Sequence, residues 1–149
     1  MNILKIKSQI IGFILLGNKM ALKDYGFWHK IKTFLHNEKP RIYFHLGEVW
    51  FCNLGANIGF EQDGDGKEYL RPVIILRKFN NEIFWAIPLT KTKKEGRYYY
   101  HFYFRDDSGS TAILSQIRLL DAKRLKYKTG TVSQSDFAEI KQKLKQLLE

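Results

Sequence analysis

Arg71-Pro72-Val73-Ile74-Ile75-Leu76-Arg77-Lys78-Phe79-Asn80-Asn81-Glu82-Ile83-Phe84-Trp85-Ala86-Ile87-Pro88-Leu89-Thr90 (RPVIILRKFNNEIFWAIPLT) sets two apolar runs on either side of Asn80-Asn81. Each run is short, bounded by polar residues and rich in β-branched or aromatic side chains, the signature of a strand rather than a helix. Asn side chains hydrogen-bond their own backbone and tolerate turn conformations, so the pair predicts a tight antiparallel hairpin. Residues 73–76 are uninterrupted Val-Ile-Ile-Leu, which makes this strand buried and central.

Further strands are predicted over 48–54 (EVWFCNL) and 98–105 (YYYHFYFR). Asp107-Ser108-Gly109 and Thr129-Gly130 fit two more turns, and residues 55–70 form a long loop with four glycines. A loop of that length within a compact domain is more often functional than idle. Asp24 can cap a helix over 25–37 that carries Phe27, Trp28, Ile31, Phe34 and Leu35 at helical spacing, and Pro40 follows it. Ser133 to Asp136 approximates a capping box before a closing helix with Phe137, Ile140, Leu144 and Leu147 as its stripe. Many short strands and a terminal helix predict a mainly β protein, a small barrel of curved antiparallel sheet with flanking helices. The expected organisation is a barrel domain over 41–149, an amphipathic helix within 20–40, and residues 1–19 as a non-native extension or flexible segment.

The chain has 149 residues, one domain's length, and its single cysteine, Cys52, rules out an internal disulfide and fits a reducing cytoplasm. Lys5 and Lys7 before residues 10–16 imitate a secretory leader. The apolar stretch is too short to span a bilayer, however, and no small-x-small cleavage site follows it. No membrane association is expected. Lys and Arg number 25 against 15 Asp and Glu, a formal charge of +10, so a polyanion is the first partner to consider. Half of that excess lies in residues 1–40, where seven Lys face Asp24 and Glu38. With 15% aromatics, which stack on unpaired bases, the balance favours single-stranded over duplex nucleic acid.

His29, His36, His45 and His101 show no metal-ligand spacing, and Asp63-Gly64-Asp65-Gly66 lacks the later ligands of a calcium loop, so it reads as a flexible turn with no metal expected. His101, inside an aromatic strand, reads as a structural or binding residue. Neither a dinucleotide fingerprint nor a phosphate-binding Gly-Lys loop is present, and no cofactor is expected. Arg71 stands at the start of the central strand, where Pro72 fixes the backbone and the guanidinium fork suits phosphate oxygens. A surface ion pair at a strand end is the bland alternative. Thr90 closes the next strand with a hydroxyl and leads into Lys91-Thr92-Lys93-Lys94, which is either a cationic contact loop or a solvated turn.

Taken in order, Gly47 to Gly55 (GEVWFCNLG), Gly59 to Gln62 (GFEQ), Arg71 to Leu76 (RPVIIL), Pro88 to Thr90 (PLT) and Ser110 to Asp121 (STAILSQIRLLD), with Arg124-Leu125, resemble the successive blocks of the MazF/PemK toxins. The Gln-Ile-Arg segment is the most specific of them, and the resemblance spans about residues 45–149. It implies an SH3-like barrel, usually homodimeric, that cleaves single-stranded RNA without metal. A cognate antitoxin would hold the toxin inactive, with operator DNA reached through their complex. On the matching positions, Arg71 and Thr90 would carry catalysis. Glu61, Gln62 and Gln116 would contact substrate or line the site, and Arg118 would organise the barrel or an interface.

Cleaving RNA internally requires the ribose 2′-hydroxyl to attack its own phosphate, so the protein must position the chain, handle two protons and stabilise a phosphorane. Arginine is a poor proton donor near neutrality, so Arg71 is assigned charge stabilisation first and proton donation second. Thr90 can orient or relay a proton. Lys91 and Lys93, with Lys94 and Arg97, would hold the RNA backbone, and the exposed tyrosines of 98–103 would stack on bases. Two departures stand out: Gly66 to Leu70 lengthens the loop before Arg71, and the first 40 residues have no counterpart in the minimal toxin. The added helix could pack on a barrel face, occupy the antitoxin groove or extend the RNA surface, and packing is the favoured reading. A non-catalytic nucleic-acid-binding barrel and a gyrase-poisoning toxin of related fold are the alternatives.

Overall fold

The computed structural model describes residues 22–105 and 108–149; the expectations for residues 1–19, and the turn expectation at Asp107, fall outside them. Helix α1 (Tyr25–Asn37) starts at Asp24, whose carboxylate accepts from the Phe27 N–H at 2.8 Å. It buries Trp28 and Leu35 with Ile31 between them. Phe34, expected on the packing stripe, is 58% exposed. Six residues beyond Trp28 it is turned about 120° off the buried line.

Among the described residues seven strands follow: β1 (Glu48–Asn53), β2 (Leu70–Lys78), β3 (Ile83–Thr90), β4 (Tyr99–Tyr103), β5 (Gly109–Ile113), β6 (Arg118–Asp121) and β7 (Leu125–Thr131). They form one antiparallel sheet in the order β4-β5-β3-β2-β1-β7, with β6 also on β3. The β2–β3 hairpin turns on Asn80, whose side-chain oxygen accepts from the N–H groups of Glu82 and Ile83 at 2.8 and 2.9 Å. Strand β3 accounts for the closure. Ile83 to Ala86 pair with β6, whereas Leu89 and Thr90 pair with β5, so the strand passes from one partner to the next along its length. Irregularities in the β2–β3 and β1–β7 ladders add local bend.

The uninterrupted apolar run of β2 follows from cover on both faces. Val73 and Ile75 enter a cluster with Phe44, Trp50, Phe84 and Leu120, while Ile74 enters another with Val49, Ile87 and Phe102. The second cluster is closed by α2 (Gln134–Gln146) through buried Ile140 and half-buried Phe137 and Leu144, and by its C-cap Leu147. Ser133 caps α2, accepting from the Asp136 N–H at 3.1 Å. Trp28 and Leu35 belong to a third, smaller cluster with Ala56, so α1 lies outside both barrel cores.

Three expectations need correction. Thr129-Gly130 is not a turn: both residues lie inside β7, where Gly130 faces Val49. A Cβ on Gly130 would meet the Phe104 ring at 2.6 Å, so glycine here serves close packing. The strand expected over 98–105 is limited to Tyr99–Tyr103. The segment after it, read only as a family block, contains two strands, β5 and β6, joined by a 3-10 turn, Leu114–Gln116.

Candidate active site

Arg71 is the second residue of β2 and Thr90 the last of β3. The ladder sets Val73 opposite Pro88. Beyond that pair, alternation puts Arg71 on the face of Val73 and Thr90 on the face of Pro88, and Arg71 Nη1 bonds the Leu89 carbonyl at the end of β3. Val73, Ile75, Phe84 and Ala86 on that face form the barrel interior, which Arg71 extends at its rim.

The guanidinium is nearly buried, with Arg71 9% exposed, and its hydrogen bonds are specific. Nε donates to the Asp63 carbonyl, and Nη1 to the Leu89 carbonyl at 3.1 Å. Nη2 reaches the Asp65 carboxylate at 3.3 and 3.4 Å. Two backbone carbonyls therefore fix the plane of the fork, and the third partner is a side chain that is 80% exposed. An arginine offers five N–H donors, and beyond the two given to carbonyls the partner among the described residues is this solvent-facing carboxylate.

Thr90 is half-buried, and its hydroxyl oxygen accepts from the Thr92 N–H at 3.3 Å, which turns the chain into the exposed Lys91–Lys94 loop. Across the sheet Thr90 faces Thr111, whose hydroxyl lies 2.9 Å from His101 Nδ1. His101 thus has a cross-strand structural partner. Lys94 lies over the Tyr99 ring and Arg97 over Tyr98, at 5.5 and 5.2 Å. Tyr98 and Tyr103 are exposed, whereas Tyr100 points to α2 and donates to Asp136 at 2.8 Å. Burial and that carboxylate push the Tyr100 hydroxyl up to about 12.

Gln116 joins the sequence-predicted loop residues to the barrel. Its Oε1 accepts from the Gln62 N–H at 3.2 Å, and its Nε2 donates to the Phe60 carbonyl at 2.9 Å. Glu61 is exposed and closes a local turn by accepting from the Ile58 N–H at 3.0 Å. Arg71 and Thr90 are thus brought together, Gln62 and Gln116 are brought together, and Lys91 and Lys93 stand in solvent beside Thr90.

Asp63, Asp65 and Tyr69 were not expected at the site. Asp63-Gly64-Asp65-Gly66 is no free turn: Asp65 bridges Leu70 by backbone bonds of 2.7 and 2.9 Å, and the Gly64 N–H donates to Gly55 at 2.8 Å. Tyr69 adopts a left-handed backbone, φ 51°, and its carbonyl accepts from Leu54 and Gly55. A Cβ on Gly64 would sit 1.8 Å from that carbonyl oxygen, so only glycine fits the crossing. The sequence signal was present in the two aspartates six and eight residues before Arg71, which read as a flexible turn, whereas Asp65 offers Arg71 its carboxylate and Asp63 its carbonyl.

Among solved structures, the fold is similar to MazF from Deinococcus radiodurans, with TM-score 0.57 and 18% identity over 72% of this chain and 97% of that one. It is also similar to a mycobacterial endoribonuclease in complex with its cognate antitoxin, with TM-score 0.55 and 19% identity over 69% and 92%. Mycobacterium tuberculosis toxin MazF-mt6 gives TM-score 0.53 and 12% identity over 68% and 95%. No curated protein sequence matches the chain. The sequence model of the PemK-like, MazF-like toxins matches residues 45–148, which run from just before β1 through α2. With its barrel, its closing helix and that match over most of its length, the chain belongs to the PemK-like, MazF-like toxins of type II toxin-antitoxin systems.

Proposed function

We propose that this toxin is a metal-independent endoribonuclease that cleaves single-stranded RNA, with Arg71 and Thr90 as its catalytic pair. The ribose 2′-oxygen attacks the adjacent phosphorus, the bond to the 5′-oxygen breaks, and the 2′-proton leaves as the 5′-oxygen gains one. Arg71 stabilises the charge on the phosphorane, and the Thr90 hydroxyl orients the phosphate or relays a proton. Lys91 and Lys93 hold the RNA backbone, and the loop carrying Glu61 and Gln62, tied down by Gln116, contacts the flanking nucleotides.

The observation that carries this reading is the fixed fork of Arg71 beside Thr90. Two carbonyls hold the guanidinium in place, and among the described residues its remaining edge meets the exposed Asp65 carboxylate. A preorganised donor of this kind is worth about 2.7–4 kcal/mol of barrier, so Arg71→Ala slows cleavage on the order of a hundredfold or more. A mycobacterial relative named as an endoribonuclease and solved with its antitoxin lends support. A cognate antitoxin as inhibitor, operator DNA reached through the toxin-antitoxin complex, homodimeric assembly and a cytoplasmic site of action belong to the same reading. Among the described residues no helix is long and apolar enough to cross a membrane.

Purified protein incubated with RNA in EDTA tests the proposal. Cleavage by wild type and its loss in Arg71→Ala are expected. Salt-sensitive RNA binding without scission would favour a non-catalytic barrel instead, one in which the Asp65 carboxylate occupies the Arg71 fork. Growth arrest with intact RNA would point to a protein target such as gyrase.

A further inference from the structure

We infer that α1 is a brace for the Arg71 guanidinium, with Lys23 and Trp28 as positioning residues that act through the glycine-rich loop over 55–69. The inference rests on the proposed RNA cleavage for its kinetic consequence and on contacts alone for its structural one.

The helix and the two residues before it touch the loop at Gly55, Asn57, Asp63 and Tyr69. Lys23 Nζ pairs with the Asp63 carboxylate at 2.8 Å and donates to the Asn57 carbonyl at 2.6 Å. Tyr25 donates its hydroxyl to the same carbonyl at 2.9 Å, and Tyr69 donates to the Asp24 carbonyl at 2.9 Å. Trp28 is 4% exposed and packs on Tyr69 at 5.5 Å between ring centroids, with the Arg124 guanidinium 5.6 Å over its face. A Cβ at Gly55 would meet the Trp28 indole at 2.3 Å, so helix and loop backbone are in direct contact.

Asp63 is where the two ends meet. Its carboxylate is shared by Lys23 and the Asn57 N–H at 2.6 Å, and its carbonyl accepts from Arg71 Nε. A shift of Asp63 therefore moves the acceptor that sets the plane of the fork. The ion pair also holds the Lys23 ammonium above its ordinary protonation range, a consequence of the bond to Asp63. Because α1 contributes to neither barrel core, loosening it alters the loop and leaves the barrel packed.

Full-length Lys23→Gln, Lys23→Arg and Trp28→Ala test the inference. A catalytic group misplaced by about 1 Å can lose a hundredfold in rate, so a partial loosening should lower kcat about threefold in Lys23→Gln and on the order of tenfold in Trp28→Ala. KM should stay within about twofold, because an interaction realised only in the transition state lowers kcat without weakening substrate binding. Lys23→Arg should restore kcat. The second readout needs no RNA: the Arg71 Nε–H resonance, assigned by its loss in Arg71→Lys, should exchange with water faster in Lys23→Gln and Trp28→Ala than in wild type. Unchanged kcat in both variants, or a raised KM at constant kcat, overturns the brace. If wild type does not cleave RNA, the nuclease reading fails and Nε–H exchange alone decides: faster exchange keeps the brace, equal exchange overturns it. If Trp28→Ala does not fold, Lys23→Gln and its rescue by Lys23→Arg decide.

Discussion

Arg71 donates from Nη1 to the carbonyl of Leu89 at 3.1 Å, so the guanidinium is tied to the residue immediately before Thr90. A strand-borne bond of this kind couples the two proposed catalytic groups through one peptide unit. Among the described residues, Nη2 is shared with the Asp65 carboxylate.

Asp65 should therefore compete with a phosphate. Its side chain is 80% exposed, which keeps the pair weak and the carboxylate easy to displace. Asp65→Asn removes the negative charge and keeps the size. The expected outcome is a KM for RNA lowered about twofold to fivefold at similar kcat, the range that surface ion pairs of up to about 1 kcal/mol permit. Steady-state cleavage of a short RNA measures it, and a KM that rises would mean that Asp65 assists binding rather than opposing it.

Thr90 separates size from chemistry. Thr90→Val keeps the shape and removes the hydroxyl, along with the acceptor for the Thr92 N–H. If the hydroxyl takes part in proton transfer, kcat should fall on the order of a hundredfold. Thr90→Ser should retain most of the rate. Equal activity in Thr90→Val would remove Thr90 from the chemistry and leave Arg71 acting alone.

Glu48 makes stability pH-dependent away from the site. Burial pushes its carboxyl up, but bonds from Lys128 at 2.8 Å, the His45 N–H at 2.9 Å and Trp50 Nε1 at 2.8 Å outweigh this and hold it at about 2. A carboxyl depressed in the folded state stabilises the protein above its unfolded value. That contribution is lost as pH falls from about 4.5 toward 2. The shift corresponds to about 3 kcal/mol. Denaturant midpoints across that window should fall with pH in wild type, and Glu48→Gln should flatten the slope. A wild-type slope that survives in Glu48→Gln would assign the acid sensitivity to other carboxylates.

The sequence exposed the barrel's elements where local chemistry was strong. Asp24 and Ser133 cap helices at the expected positions, and the Asn80 turn joins β2 to β3 as its side chain predicts. Strands β5 and β6 were less legible, because Ser110 to Asp121 mixes buried Ala112, Ile113 and Leu120 with exposed Leu119 around a 3-10 turn, which blurs the period-two pattern. Gly130 looked like a turn because glycine usually marks one, while here its missing side chain admits the Phe104 ring.

The candidate site divides in the same way. Arg71 and Thr90 stand at strand ends, and hairpin register brings such positions together once the turn is known. The partners of Arg71 were hidden because the fold of the loop, not sequence distance, selects them: a carbonyl at Asp63 and a carboxylate at Asp65, eight and six residues upstream, and behind them Lys23, which pairs with Asp63 at 2.8 Å from 40 residues before it. Loop closure of that kind depends on Tyr69 taking a left-handed backbone, which no local motif announces in a tyrosine.

The chemical identity of the RNA ends made in EDTA tests the central claim most directly. Attack by the 2′-oxygen predicts a 2′,3′-cyclic phosphate on the upstream fragment and a free 5′-hydroxyl on the downstream one. Mass spectrometry should find both with wild type and neither above background with Arg71→Ala. Fragments bearing 5′-phosphates, or the same products at equal rates from Arg71→Ala, would contradict the account.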